Sequence, residues 1–483
     1  MPRLKVLFVV SECVPFAKTG GLADVGGALP MALAARGHDV RVVLPRYRVT
    51  KKHAADRLPA PLAVPVGRGE AWCSVYETRF SRSDARVYLL EHDALYDRDG
   101  IYGDKSGDFG DNLARYTLLA RGALSLCRYL DWVPDVVHAH DWQTALAPVF
   151  LNTLERGTPL ARAASVFTIH NMGYQGWFSK EQLWQTQLGW DVFHSRGLEA
   201  HDSINLLKGG IYHATLVTTV SPRYAREIQT ADGGEGLDGV LRDRGGDVLG
   251  ILNGIDDEVW NPQKDKFTAA PFTAEDIEGK GICKAALQQE MGLPQEPDVP
   301  LIGIVSRLAH QKGIDVFAGA LEDILSLGAQ VVVLGSGEKW AEDSFRRLSA
   351  THPRFRAHLG MNEPLSHRIE AGADIFLMPS RYEPCGLNQM YSQRYGTLPV
   401  VRAVGGLDDT IEHDVTGFKF QNLDPDELAQ AVANAVYTYH ERPEHFRMMQ
   451  YHAMKKPMGW GHASRQYEAL YRLACARRRG MHR

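Results

Sequence analysis

At 483 residues, with 44% hydrophobic and 23% charged side chains, the chain is too long for one hydrophobic core, and two or three domains are expected. A formal net charge of −4, with no basic block before the short tail at 477–483, which reads as a solvated end, argues against nucleic acid as a partner. Six scattered cysteines without a C-x-x-C suit a reducing cytoplasm, and no stretch is apolar enough to span a bilayer; the opening MPRLKVLFVVSE reads as a first strand, not a signal peptide.

Residues 6–10 form a β-rich run ending in Ser11, Glu12 and Cys13, after which Lys18, Thr19, Gly20, Gly21 and Leu22 precede a helix-like stretch at 23–36. With the next strand at 40–44, the chain opens as a doubly wound α/β unit. No G-x-G-x-x-G follows the first strand, which disfavours a nicotinamide cofactor, because a dinucleotide pyrophosphate needs those glycines for close approach. Further strands are expected at 85–90, 136–139, 165–169, 216–220 and 249–252. The later ones run into His138, His140 and Asp141, into His170 and Asn171, into Ser221, and into Asn253, Gly254 and Asp256. In an open α/β sheet the ligand crevice lies beyond such carboxyl ends.

The stretch 257–300 is rich in Pro, Lys, Asp and Glu, and with one helical piece at 281–291 it reads as an excursion or connector, so a domain boundary is placed at Asp256. A second strand-helix series follows, with strands at 301–305, 331–334, 356–359, 375–378 and 398–401 and a closing helix at 425–439. The last helix, 460–476, carries several aromatics.

Residues 376–410 hold the densest chemistry. The run Ile375, Phe376, Leu377, Met378 is stopped by Pro379, which puts Glu383 just beyond a strand's carboxyl end. Gly386 lets the backbone turn, and Leu387, Met390, Tyr391 and Arg394 have helical spacing. A carboxylate beside a helix N-terminus suits a phosphate with a polyol attached. A second strand then runs into Gly405 and Gly406, with Asp408, Asp409 and Thr410 as caps for a further helix, and a second anion-binding turn is expected there.

Lys18 beside Gly20 and Gly21 reads either as a surface lysine at a plain turn or as a charge next to backbone N–H groups that meet an oxyanion. Arg307 and Lys312, after the first strand of the second series, are either solvated cations or groups that neutralise a diphosphate. The H-x-H at His138 and His140 puts two imidazoles on one strand face, but no third ligand pattern completes a metal set, and none is expected. The D-x-D strings at Asp97 and Asp99 and at Asp424 and Asp426 fall in a glycine-rich loop and at a helix start, and are not read as metal motifs. Cys385 reads as a small buried residue.

SRYEPCGLNQMYSQRYGTLPVV followed by GGLDDT resembles the donor site of the bacterial glycogen and starch synthases. K-T-G-G at 18–21, H-A-H-D-W at 138–142, T-I-H-N at 168–171 and S-R-L-A-H-Q-K-G at 306–313 stand in that family's order, so the resemblance covers nearly the whole chain. It implies a GT-B type α/β fold, two Rossmann-like doubly wound domains facing a central cleft. Residues 1–256 would be the acceptor side, 257–459 the nucleotide-sugar donor side, and 460–483 a helix crossing back to the first domain. It further implies a retaining glucosyltransferase that moves glucose from ADP-glucose to the non-reducing end of an α-1,4-glucan, with no cofactor.

By the same resemblance the catalytic set is Glu383, His170, Asp141, Lys18, Arg307 and Lys312. The donor would be held by Lys18, Gly20, Gly21, Asn253, Arg307, Lys312, Glu383, Cys385, Gly386, Leu387 and Thr410. The acceptor would meet Asp24, Asp141, Trp142, Asn171 and Tyr174, with Trp142 offering a stacking face for sugar. Many retaining transferases of this architecture carry a second Glu eight positions after the first; here that residue is Tyr391, and in the bacterial synthases the position is commonly aromatic. No partner acid stands at glycosidase-like separation from Glu383, which favours a front-face mechanism. Alternatives are a transferase of the same fold that uses UDP-sugars or makes maltose 1-phosphate, a sugar-nucleotide epimerase, or a glucan-binding protein without catalysis, the last disfavoured by Lys18, Arg307, Lys312 and Glu383.

Overall fold

Short β-rich runs alternate with helices along the chain, and the central runs, such as Val136–His140, Ala164–Ile169, Gln330–Gly335 and Ile375–Met378, bury both faces, as expected of parallel strands covered on two sides. The computed structural model describes residues 2–481. Two units emerge: one runs to Gly254 and resumes at Trp460, and the other is 255–459.

In the first unit six strands pair in parallel in the spatial order Val248–Gly250, Leu216–Thr219, Ala164–Ile169, Val136–His140, Lys5–Val9 and Asp39–Pro45. Arg86–Glu91 adds in parallel beyond Asp39–Pro45, and Gly69–Arg79 and Asp56–Arg57 follow antiparallel. The winding reverses between Lys5–Val9 and Val136–His140, and in an open α/β sheet the ligand site is expected beyond the carboxyl ends at such a switch point. The helix Trp460–Met481 belongs to this unit. Its Trp460, Ala463, Tyr467, Leu470, Tyr471 and Ala474 recur at helical spacing and pack with Phe8, Val25 and Leu29. Arg36 donates to Glu468 at 2.8 Å, and Arg478 is buried, donating to Ala161 O and Asn152 Oδ1. The basic tail is therefore anchored as far as Arg478 and is not the solvated end expected there; His482 and Arg483 lie outside the described residues.

The second unit holds six parallel strands in the order Phe355–Leu359, Gln330–Gly335, Leu301–Val305, Ile375–Met378, Leu398–Arg402 and Phe418–Phe420. Its reversal lies between Leu301–Val305 and Ile375–Met378, which sets the loops after those two strands side by side.

The division falls between Gly254 and Ile255, next to the expected Asp256: Ile255 N–H donates to Met458 O at 2.9 Å and Arg394 holds Asp257 at 2.8 Å. One expectation about this region is corrected: 257–300 is not a connector. Its helix Glu278–Met291 buries Cys283 and Leu287 along with Lys280, whose ammonium donates to Ala371 O and Thr397 Oγ1, while Lys284 pairs with Asp374 at 2.7 Å. The helical piece expected at 281–291 is present, begins at Glu278 and docks its buried lysines inside the unit. No helix among the described residues is long and apolar enough to cross a membrane, and the six cysteines are free and buried.

Candidate active site

In the first unit the loop after Lys5–Val9 ends in Glu12, whose buried carboxylate accepts from Thr19 N–H, from Thr19 Oγ1 at 2.7 Å, from Gly20 N–H at 3.1 Å and from the Tyr102 hydroxyl. The anion that the K-T-G-G backbone meets here is thus an internal one, which corrects the expectation that the Gly20 N–H is free for a ligand. Gly21 opens the helix Gly21–Ala35. The exposed Lys18 pairs with Asp24 in the first turn of that helix at 2.8 Å, an ion pair that costs little to exchange for another anion.

At the neighbouring strand ends Asp141 and His170 are brought together. Asp141 has a positive φ of 53° and its Oδ1 accepts from His170 N–H at 2.6 Å. Burial drives its carboxyl up to about 7, against the pull of the His170 and Asn171 N–H groups, and nearby Glu12 adds to the rise. His170 Nε2 lies 3.0 Å from His140 Nδ1, and burial pushes His170 down to about 3. His138 and His140 do share a face, with rings 4.0 Å apart, but His138 spends both nitrogens on Tyr471 Oη at 2.8 Å and Thr168 Oγ1 at 2.6 Å.

Trp142 requires correction. It is buried edge-on against Tyr116 and beside Phe178, and the Gly176 backbone closes over it so tightly that a Cβ there would lie 2.7 Å from the indole. It is a floor for the loop 170–176, not a face for a sugar. Tyr174, more than half exposed, is the aromatic that loop presents, while Asn171 Oδ1 accepts from Gly173 N–H. Asn253, beyond Val248–Gly250, is buried with its Oδ1 unpartnered. The D-x-D acids are engaged elsewhere: Asp97 and Asp99 both hold Arg48, and Asp424 caps the helix Pro425–Glu441. Among the described residues no group of three or more His, Cys, Asp or Glu side chains is arranged to hold a metal ion.

In the second unit Lys312 and Glu383 meet at the switch point, with Arg307 on the same loop as Lys312. Glu383 is buried, and its Oε2 accepts from Lys312 Nζ at 2.5 Å and Ser380 Oγ at 3.0 Å. The exposed Arg307 donates to Gln311 Oε1 at 2.8 Å. Arg381, quoted within S-R-Y-E but given no role from sequence, joins the two loops. Its guanidinium grips Asp315 with two bonds of 2.6 Å, donates to His310 O, and its backbone N–H donates to Gln311 O. Gly313, at φ +66°, passes so near Pro379 that a Cβ would lie 1.9 Å from its carbonyl oxygen.

Behind the acid, Gly386 turns at φ +71° and Leu387 precedes the helix Asn388–Arg394, with Cys385 buried. Gly405 and Gly406 do not form a second anion turn. A Cβ on either would stand about 2 Å from the carbonyl oxygens of Glu383 and Cys385, and Gly406 N–H donates to Glu383 O at 3.0 Å. The pair seats the backbone that carries the acid. Asp408 and Thr410 lie inside the helix Gly405–Thr410 and do not cap another; Thr410 Oγ1 bonds back to Gly406 O and Asp408 holds Lys419. Tyr391 stacks on Trp260 at 3.8 Å, and Trp260 stacks on His367, which Asp265 fixes at 2.6 Å.

Residues 5–243 match the family described as starch synthase catalytic domain, and 299–437 match glycosyl transferases group 1. The chain is 49% identical to glycogen synthase 1 of Geobacter metallireducens over 99% of this chain and 98% of that one. It is 45% identical to the glycogen synthase of Treponema denticola over 99% of this chain and 100% of that one. A solved structure, the catalytic domain of starch synthase IV from Arabidopsis thaliana bound to ADP and acarbose, matches with a TM-score of 0.91 at 33% identity, over 98% of this chain and 100% of that one. With whole-chain identity of this size and two parallel-sheet units of Rossmann type, the chain belongs to the glycogen and starch synthase family of GT-B glycosyltransferases.

Proposed function

We propose that the enzyme transfers glucose from ADP-glucose to the non-reducing end of an α-1,4-glucan with retention, releasing ADP, and that side-chain cations carry the leaving diphosphate. The observation that carries the reading is the buried Glu383 held by Lys312 at the sheet switch point, with Arg307 on the same loop. Charges fixed where negative charge develops stabilise a transition state by several kcal/mol in a water-poor site. On arrival of the donor, Lys312 shares its charge between Glu383 and phosphate, which frees Glu383 oxygen lone pairs for glucose hydroxyls. Lys18 exchanges Asp24 for phosphate. Asp141, held near neutrality, is suited to the acceptor hydroxyl side. His170 binds as a neutral ring. Tyr391 is committed to the Trp260 stack and supplies no second carboxylate, so the departing phosphate itself takes the incoming hydroxyl's proton. The ligands of the Arabidopsis structure, ADP and acarbose, fit this assignment.

The test is a comparison of ADP-glucose and UDP-glucose with glycogen as acceptor. ADP-glucose is expected to support glucan growth with kcat/KM at least about 10-fold higher, a difference of about 1.4 kcal/mol in transition-state binding. Equal or reversed preference overturns the donor assignment.

A further inference from the structure

Resting on the reading that His170 meets the donor, the His138, His140, His170 cluster fixes which proton that histidine carries. His138 is saturated by Tyr471 and Thr168. His140 Nδ1 and His170 Nε2 are bonded to each other at 3.0 Å, so one is the donor and the other the acceptor. His140 Nε2 is sealed in the core with no partner, its ring stacked on Phe8 at 5.7 Å and against His138. Among the described residues His170 Nδ1 has no hydrogen-bond partner and, on a partly buried residue, is not sealed.

Both rings are neutral, since burial lowers His140 well below the ordinary range and His170 with it, so each carries one proton. If His170 donated from Nε2, the His140 proton would sit on Nε2, leaving a buried N–H without an acceptor, the costlier of the two orphans. The other arrangement puts the His140 proton on Nδ1, donates it to His170 Nε2 and leaves only a bare lone pair in the core.

We infer that His140 is a positioning residue that locks His170 as the Nδ1–H tautomer, so that His170 faces the donor as a neutral hydrogen-bond donor to one of its oxygens and cannot act as a base there. A second ring partner deciding the tautomer of the working nitrogen is general histidine behaviour.

The experiment is imidazole ¹⁵N spectroscopy of histidine-labelled, full-length, ligand-free enzyme at neutral pH, assigned by comparison with His170→Gln, beside kinetics of His140→Phe and His140→Asn. In the wild type His170 is expected with a protonated Nδ1 and a bare Nε2. His140→Phe removes the lock, giving mixed tautomers and a kcat lower by roughly 10- to 100-fold, with ADP affinity within about 2-fold. His140→Asn, whose amide can donate to Nε2, restores most of both. A wild-type His170 protonated on Nε2 overturns the inference, as does a His140→Phe enzyme that keeps the tautomer or the rate. Should His140→Phe fail to fold, the wild-type spectrum and the Asn variant decide. The spectrum needs no substrate, so it stands or falls separately from the choice of donor sugar.

Discussion

Lys312 Nζ lies 2.5 Å from Glu383 Oε2, and both side chains are largely withdrawn from solvent, so a cation from one strand-end loop and an acid from the next are held as a single unit. Breaking such a pair leaves one charge uncompensated. Lys312→Ala is therefore expected to cost roughly 2–4 kcal/mol of stability, because among the described residues the more deeply buried Glu383 carboxylate then keeps only Ser380. Adding Glu383→Gln should return much of it. Thermal unfolding of the two singles and the double checks this; additive losses would mean the pair is not coupled.

If Glu383 holds the donor glucose as proposed, Glu383→Ala should lower kcat by at least about 100-fold with little change in donor KM, because such contacts act mainly in the transition state. Steady-state kinetics on folded variant decides, and a near-wild-type kcat removes the acid from the reaction.

Asp141 predicts a pH dependence of definite sign. Its carboxyl is near 7 in the folded chain against an ordinary 3.8. Below pH 3.8 both states are protonated and burial costs nothing. As pH rises from there to about 7 the unfolded chain ionises first, and the native state loses stability; above 7 the loss levels off. Asp141→Asn should therefore unfold at a higher temperature than the wild type at pH 8, by up to about 4 kcal/mol, and match it near pH 4. Its activity should fall at both. Melting curves at the two pH values test the sign.

Much of this was legible locally. The strands at 301–305 and 375–378 were placed by apolar runs stopped by polar, glycine or proline residues, and those stops set Arg307, Lys312 and Glu383 on adjacent loops. What escaped was non-local. The hairpin Leu62–Val66 with Gly69–Arg79 contains Pro65, which discounts a strand unless it lies away from the sheet's centre, as this one does. The helix Asn112–Tyr129 is buried almost all round and so shows no polar stripe. Trp142 reads as a sugar platform because nothing near it in sequence reveals that Gly176 folds over it, and Glu12 carries no role in sequence because the donors to its carboxylate, Thr19, Gly20 and Tyr102, come from elsewhere in the chain.

Arg381 is expected to act through the loop it holds. Arg381→Lys cannot keep two parallel bonds to Asp315 together with the His310 carbonyl, so donor KM should rise about 10-fold while kcat changes less. Initial rates over a range of donor concentrations check it; an unchanged KM would make Arg381 a purely structural residue.

Because side chains are assigned the charge of the leaving diphosphate, exhaustive EDTA treatment should leave turnover within about 2-fold of the untreated enzyme, read against the cation-clamp assignment. Collapse of the rate, restored by Mg²⁺ or Mn²⁺, would place a metal where Arg307 and Lys312 have been put.

The most direct measurement follows glucose itself. With ¹³C-labelled ADP-glucose and a linear maltooligosaccharide, NMR resolves the configuration of each new linkage while ADP is counted in the same sample. α-1,4 linkages are expected to appear one for one with ADP, and essentially none in Glu383→Ala. ADP release without glucan growth, a β-configured product, or growth undiminished in Glu383→Ala would contradict it.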